Sequence, residues 1–275
     1  MKVANLIRST SENENLILRS GFRDLDAIIQ GFRESNFVVI GARPSVGKTA
    51  FALNIAHNIC LEQNLSVGWF TYEMTGKSVT GRLLSMNSGV EYNKLIDNIS
   101  SLNKSELKAY RKSVFEVSNF SFWINSVWGT DIHELEDKAR QMKLNHDVKI
   151  IFIDYINLIP VSQDNIPRFE QVAFLSRNIR SLALELGIPI IVLSQVSRSA
   201  EVVEPSLATL GESAALQWHA DIVIFLHQER EKRKGRNSSK GNDATKVKVI
   251  VAKNRNGYIG IANLGFTPKT IKFSN

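Results

Sequence analysis

The segment GARPSVGKT, Gly41 to Thr49, gathers the residue types that bind a polyphosphate. A glycine lets the backbone approach an anion, a lysine reaches the outer phosphates, and a hydroxyl ligates the accompanying dication. The general spacing G-x-x-x-x-G-K-[ST] puts the first glycine at position 42, but that residue is Ala42 and the glycine is Gly41. Alanine is tolerable there only if the position needs no positive φ. The expected cradle is Ala42, Arg43, Pro44, Ser45, Val46, Gly47, Lys48, Thr49 and Ala50. Three polar residues that end or follow apolar runs complete the set. Asp154 closes Ile150 to Ile153; alone it would cap a loop, but beside a phosphate loop a Mg²⁺-associated role, shared with Thr49, is favoured. Glu73 follows Val67 to Thr71 and would position or deprotonate a water, provided its strand neighbours the loop strand. Gln195 follows Ile188 to Ser194 and would sense a γ phosphate or the attacking water.

These residues need a scaffold that brings strand tips to one edge. Phe37 to Ile40 reads as a strand and Ala50 to Ala56 as the following helix, so the loop has the strand–loop–helix setting it requires. The helix N-terminus would then turn its N–H groups and positive dipole end on the phosphates. Further apolar runs occur at Phe120 to Ile124, Ile222 to Leu226 and Val247 to Val251. Several runs are apolar at every position, which indicates strands covered on both faces. Between them, Asp131 precedes Ile132, Leu135, Ala139 and Met142, with Glu134 placed for a capping box. Val172, Leu175, Ile179, Leu182 and Leu186 recur at helical spacing until Gly187 and Pro189. The alternation predicts an α/β domain with a largely parallel central β-sheet flanked by helices. Residues 1–19 read as an arm or linker helix and 20–275 as one domain. The run from Glu229 to Asp243 has no apolar residue and reads as an exposed loop.

The 34 Lys and Arg against 27 Asp and Glu give +7, a balance that favours a polyanionic partner. The single Cys60 excludes an intrachain disulfide, and the five histidines have no metal-ligand spacing. No apolar run approaches the roughly 18 to 20 residues that span a bilayer, and the N-terminus lacks a signal-peptide core. No membrane partner is expected, and a cytoplasmic location is the default.

The segments SGF (Ser20 to Phe22), GARPSVGKT, TYEM (Thr71 to Met74), IFIDYINLI (Ile151 to Ile159), PIIVLSQ (Pro189 to Gln195), GESAALQWHAD (Gly211 to Asp221) and VAKNRNG (Val251 to Gly257) occur in one order. Together with the closing LGFTPKTIKF, this set closely resembles the C-terminal, RecA-like motor domain of the DnaB-family replicative DNA helicases. In that family alanine is usual in the phosphate loop, which accounts for Ala42. The resemblance implies ATP and Mg²⁺ as cofactors. It makes Glu73 the catalytic glutamate, Asp154 the Mg²⁺-associated aspartate and Gln195 the coupling residue. It also implies that Lys253 and Arg255 reach the neighbouring subunit's ATP site, Arg255 as an arginine finger. Single-stranded or forked DNA, a self-ring (a hexamer), and a primase or helicase loader are the implied partners.

Two features depart from the family. The segment implied to contact DNA typically begins Arg-Glu-Ser-Gly, whereas here it runs Gly211-Glu212-Ser213-Ala214. Losing a cation per subunit weakens phosphate contact and flattens its salt dependence. Arg198, Arg168 and the basic stretch near 230–240 are candidates to compensate. The chain also starts near the start of the family's motor domain, so the family's N-terminal domain is expected to be absent. Two other readings remain open: a RecA-like recombinase-type ATPase, and a non-catalytic, nucleotide-gated DNA-binding assembly module.

Overall fold

Runs that are apolar at every position become strands whose alternate residues feed two separate cores. The computed structural model describes residues 16–161, 166–196, 204–228 and 244–275. In chain order its elements are α1 (Arg23–Ile29), β1 (Phe37–Ala42), α2 (Lys48–Gln63), β2 (Val67–Thr71), α3 (Gly76–Ser88), α4 (Tyr92–Asp97), α5 (Lys104–Ser118), β3 (Phe122–Ser126) and α6 (Ile132–His146). There follow β4 (Ile150–Asp154), α7 (Arg168–Leu186), β5 (Ile190–Gln195), α8 (Ala214–His219), β6 (Ile222–His227), β7 (Thr245–Asn254), β8 (Gly260–Thr267) and β9 (Lys272–Ser274). The strands form one sheet in the order β3-β2-β4-β5-β1-β6-β7-β8-β9. The first six run parallel and the last three antiparallel.

In β1, Val38, Ile40 and Ala42 join the core on the α2 side, while Phe37 and Val39 join the core under α6 and α7. Strands β4, β5 and β6 divide in the same way, which is why they cannot alternate apolar with polar residues. Helix α2 is apolar nearly all round because its outer face is covered as well. Phe51 stacks on Phe22 and meets Phe273 edge-on, with ring centroids 5.5 and 5.3 Å apart. The buried Asn54 of α2 donates to Ile271 O and accepts from the Phe273 N–H, fastening the C-terminal segment over the helix.

The expected helix signals operate, with one difference. Gly187 ends α7 in the left-handed region, at φ 64°. Asp131 caps α6 by accepting the Glu134 N–H, but the reciprocal bond of a capping box is not formed; the Glu134 carboxylate faces Lys138 instead. A complete box occurs at the start of α5, between Asn103 and Glu106.

Leu18, assigned by sequence to the arm, is buried and bridges to Phe32, so the described part of that segment is built into the core. Strands β8 and β9 carry no assignment from the sequence, yet β8 buries alternate residues Ala262, Leu264 and Phe266. The Glu229–Asp243 stretch lies outside the described residues.

Candidate nucleotide site

Gly41 and Ala42 are the last residues of β1, and the phosphate loop proper begins after them. Ala42 has no positive φ; that conformation is taken by Ser45 (65°) and Gly47 (99°). Gly41 answers to packing: a Cβ there would lie 2.8 Å from the Phe225 ring of neighbouring β6. Gly47 precedes α2 without a side-chain cap, and the first turn of α2 holds no acidic residue. Its leading N–H groups therefore have no side-chain acceptor there and face the loop with the positive end of the helix dipole.

Strand order brings the other residues to this loop. Ala42 pairs with Gln195 and Thr71 pairs with Asp154, so four strand ends share one edge of the sheet. Strand β2 does not adjoin β1, contrary to the condition set for Glu73; β4 and β5 lie between them. Glu73 nonetheless lines the same cavity, of roughly 480 Å³, as Lys48, Thr49 and Gln195. Two anchors hold it there. The Thr71 hydroxyl accepts from the Met74 N–H at 2.9 Å, and the Tyr72 hydroxyl donates to Thr130 O at 3.1 Å. Glu73 thus sits exposed at the tip of a short turn bracketed by buried partners.

Asp154 is fully buried, and neither carboxylate oxygen has a well-formed hydrogen bond among the described residues. Burial pushes its pKa up to about 6, although nearby Lys48 and the Thr49 hydroxyl pull the other way. Burial likewise lowers the pKa of Lys48, against the opposing pull of Asp154 and Glu73. The Lys48 ammonium rests 4.3 Å from the centroid of the Tyr155 ring. A buried carboxylate whose oxygens make no well-formed hydrogen bond among the described residues, beside a threonine hydroxyl, fits a hard dication whose remaining ligands come from water and phosphate. Among the described residues no group of three His, Cys, Asp or Glu could hold a metal by itself.

A consequence concerns stability. The Asp154 carboxyl has a reference pKa of 3.8 and a folded value of about 6. The folded state therefore binds this proton more tightly than the unfolded chain. Its contribution is most favourable below pH 4, is lost between about pH 4 and 6, and stays lost above. Asp154→Asn is thus expected to stabilise the nucleotide-free protein by roughly 3 kcal/mol at pH 7.5 and by almost nothing near pH 4. Urea unfolding at the two pH values measures this; equal stability of variant and parent at pH 7.5 would refute it.

The cavity also contains residues that sequence reasoning missed. Arg82 of α3 stacks over Tyr92, 5.4 Å from the ring centroid, and its buried Nε has no hydrogen-bond partner among the described residues. Phe266, Pro268 and Ile271 close the rim from the C-terminal segment that Asn54 holds in place. Phe266, Pro268 and Ile271 fall in the closing LGFTPKTIKF, which carries the resemblance but points to no role at the site, and no motif marks Arg82. Arg82 is visible in the sequence only as a cation on a helix following Glu73. Val46 does not line the cavity and packs against the core.

Lys253 and Arg255 are elsewhere. Strand β7 runs antiparallel to β6, so its end lies beside Asp221, at the amino end of the sheet. About 15 Å of strand separate this point from the Ala42–Leu226 pair. The pairing skips Ala252, a bulge just ahead of the two cations. Lys253 Nζ donates to Gln217 O, and Arg255 Nη2 donates to Trp218 O. Burial lowers the pKa of Lys253, with Arg255 adding to the effect.

Of the residues assigned to DNA contact, Gly211 and Glu212 lie on the 3-10 turn Leu207–Ser213 and Ala214 begins α8. Arg198 lies outside the described residues. Arg168 is engaged within the chain, its guanidinium donating to Gln171 Oε1 and Asn157 O. No helix among the described residues is long and apolar enough to cross a membrane.

The family model of the DnaB-like helicase C terminal domain matches residues 18–275. The replicative DNA helicase DnaB of Treponema pallidum (strain Nichols) is 34% identical over 273 residues, covering 98% of this chain and 59% of that protein. Its counterpart in Rickettsia bellii (strain RML369-C) is 33% identical over 305 residues, covering 99% and 60%. The chain therefore spans about three fifths of the length of these relatives. Among solved structures, one described as an ATPase domain superposes with a TM-score of 0.86 at 31% identity, covering 99% of this chain and 96% of that one. A DnaB-like replicative helicase, described with its interactions with primase, gives 0.85 at 31% identity, covering 99% and 65%. A parallel sheet with a phosphate loop at the tip of β1, a buried acid at the tip of β4 and a family match over nearly every residue lead to one conclusion: the chain belongs to the DnaB-like helicase C-terminal domain family.

Proposed function

We propose that this chain is the motor of a replicative DNA helicase, hydrolysing ATP with Mg²⁺ at sites between subunits of a ring and translocating on single-stranded DNA. The observation that carries the reading is the partition of the candidate residues between two edges of the sheet. Lys48, Thr49, Glu73 and Gln195 line one cavity, with Asp154 buried beside them, while Lys253 and Arg255 sit at the opposite edge. A complete site then needs the second edge of another copy, which is what ring assembly supplies.

In this reading the loop from Ala42 to Ala50 cradles the phosphates and Lys48 neutralises their outer oxygens. Thr49 and Asp154 would hold the Mg²⁺, which supplies charge neutralisation on the phosphates when bound. Glu73 orients the attacking water and accepts its proton, and Gln195 sits where it can sense the γ phosphate. Arg82, which lines the same cavity, adds positive charge to it. A hexamer, and a primase or loader as partner, belong to the same proposal. So does weaker DNA contact at Gly211, Glu212 and Ala214, where the family has an arginine.

ATP turnover with and without single-stranded DNA, together with oligomeric mass in ATP and Mg²⁺, tests the reading. A DNA-stimulated ATPase in a closed assembly that displaces a strand from a forked duplex is the expected result. Strand pairing without displacement would favour a recombinase-type ATPase. An assembled ring without turnover would favour a nucleotide-gated binding module.

A further inference from the structure

The turn that carries Arg255 is braced by the residue before it. Asn254 ends β7, and its side chain holds the turn at two points. Oδ1 accepts the Asn256 N–H at 3.1 Å, and Nδ2 donates to Tyr258 O at 3.2 Å. One amide thus satisfies two backbone groups that an exposed turn would otherwise leave to water. Gly257 makes the arrangement possible: a Cβ there would come within 2.5 Å of Asn254 Nδ2 and 3.3 Å of Ile28 O. The flanks of the turn are also fastened. The Arg255 N–H donates to Asp221 O at 2.9 Å, and the Tyr258 N–H donates to Ile28 O of α1 at 3.3 Å. The Arg255 side chain, by contrast, is exposed and mostly bound to groups it could exchange for an anion. A guanidinium delivered to another subunit has no covalent or packing guide beyond the backbone it leaves from. Fixing that backbone lowers the ordering cost of each productive contact.

We propose that Asn254, seated in the space left by Gly257, is a positioning residue for Arg255: it fixes the backbone from which the guanidinium reaches the neighbouring subunit's nucleotide, and itself touches no nucleotide. The inference rests on the proposed action of Arg255 in trans.

Mixed assemblies test it, with ATP turnover, ATP affinity and oligomeric mass measured on the full chain. Asn254→Ala is expected to lower kcat about 10- to 100-fold, the range for a small misplacement of a reacting group. KM for ATP and ring mass should stay within twofold of the parent. Adding Lys48→Ala subunits, whose own sites are dead but whose turns are intact, should restore turnover at the Asn254→Ala sites. Gly257→Ala should reproduce the phenotype by filling the space the amide occupies. The Asn254→Ala, Arg255→Ala double variant should turn over no more slowly than Arg255→Ala alone, because both remove one function. Turnover of Asn254→Ala within twofold of the parent overturns the proposal. So does a loss that Lys48→Ala subunits fail to restore although they restore Arg255→Ala. If Arg255→Ala itself is not restored in mixed rings, the trans reading fails and takes this inference with it.

Discussion

Glu73→Gln is expected to bind ATP as the parent does and to hydrolyse it about 10²- to 10⁴-fold more slowly, the contribution typical of a positioned general base. The geometry makes this a clean separation. Glu73 projects from a turn held by Thr71 and Tyr72, so an isosteric amide leaves the turn and the cavity shape unchanged. Glutamine keeps hydrogen-bonding capacity toward a water but cannot take its proton. The phosphate cradle lies on the loop after β1, with β4 and β5 between that strand and β2, and does not depend on Glu73 for its conformation. Equilibrium titration with a fluorescent ATP analogue and steady-state turnover on the same preparation measure the two effects. A parallel loss of binding and turnover would mean that Glu73 contacts the nucleotide itself and is not the base.

The second large effect is expected at Arg255. Arg255→Ala should reduce turnover by about 10³- to 10⁵-fold, the range associated with an arginine supplied to a phosphoryl-transfer site. Its own phosphate loop is beyond reach, because the parallel strands separate the Asp221 edge from the Ala42 edge by about 15 Å. The loss should therefore be complemented. Arg255→Ala subunits retain a sound nucleotide cavity, and Lys48→Ala subunits retain a sound finger. Mixed one to one, they place some intact cavities against intact fingers, and turnover should recover well above either variant alone. Each homogeneous preparation, checked for ring mass, is the control. No recovery in verified mixed rings would remove the intersubunit site.

Much of this arrangement is legible in the residues alone. The phosphate loop is a local device: its conformation is set by the strand before it, the helix after it and a few backbone torsions, all encoded within about twenty residues. Asp154 is equally visible, as an acid at the end of an apolar strand. The reason that points to Glu73 is only partly sound, since β2 is separated from β1 by two strands. Glu73 lines the cavity all the same, because all the parallel strands end at one edge and adjacency is not required.

Other features have no local signature. Arg82 and Tyr92 come from a segment distant in sequence from the rim formed by Phe266, Pro268 and Ile271, and Asn54 of α2 fastens the segment that carries that rim. Gly41 looks like a displaced loop glycine, and only the neighbouring strand explains it: Phe225 leaves no room for a Cβ. Strands β8 and β9 lack the continuous apolar runs of the buried parallel strands, because an antiparallel margin half exposed to solvent alternates its residues.

The sequence by itself determined most of the buried strands, the phosphate loop and the candidate residue types for phosphoryl transfer, since these depend on short-range periodicity and spacing. Only the tertiary structure decided which of those residues share a cavity. Strand order and strand direction are long-range choices. They carry Lys48, Glu73, Asp154 and Gln195 to one edge of the sheet and Lys253 and Arg255 to the other. That separation is one strand length wide, and the proposed intersubunit site rests on it.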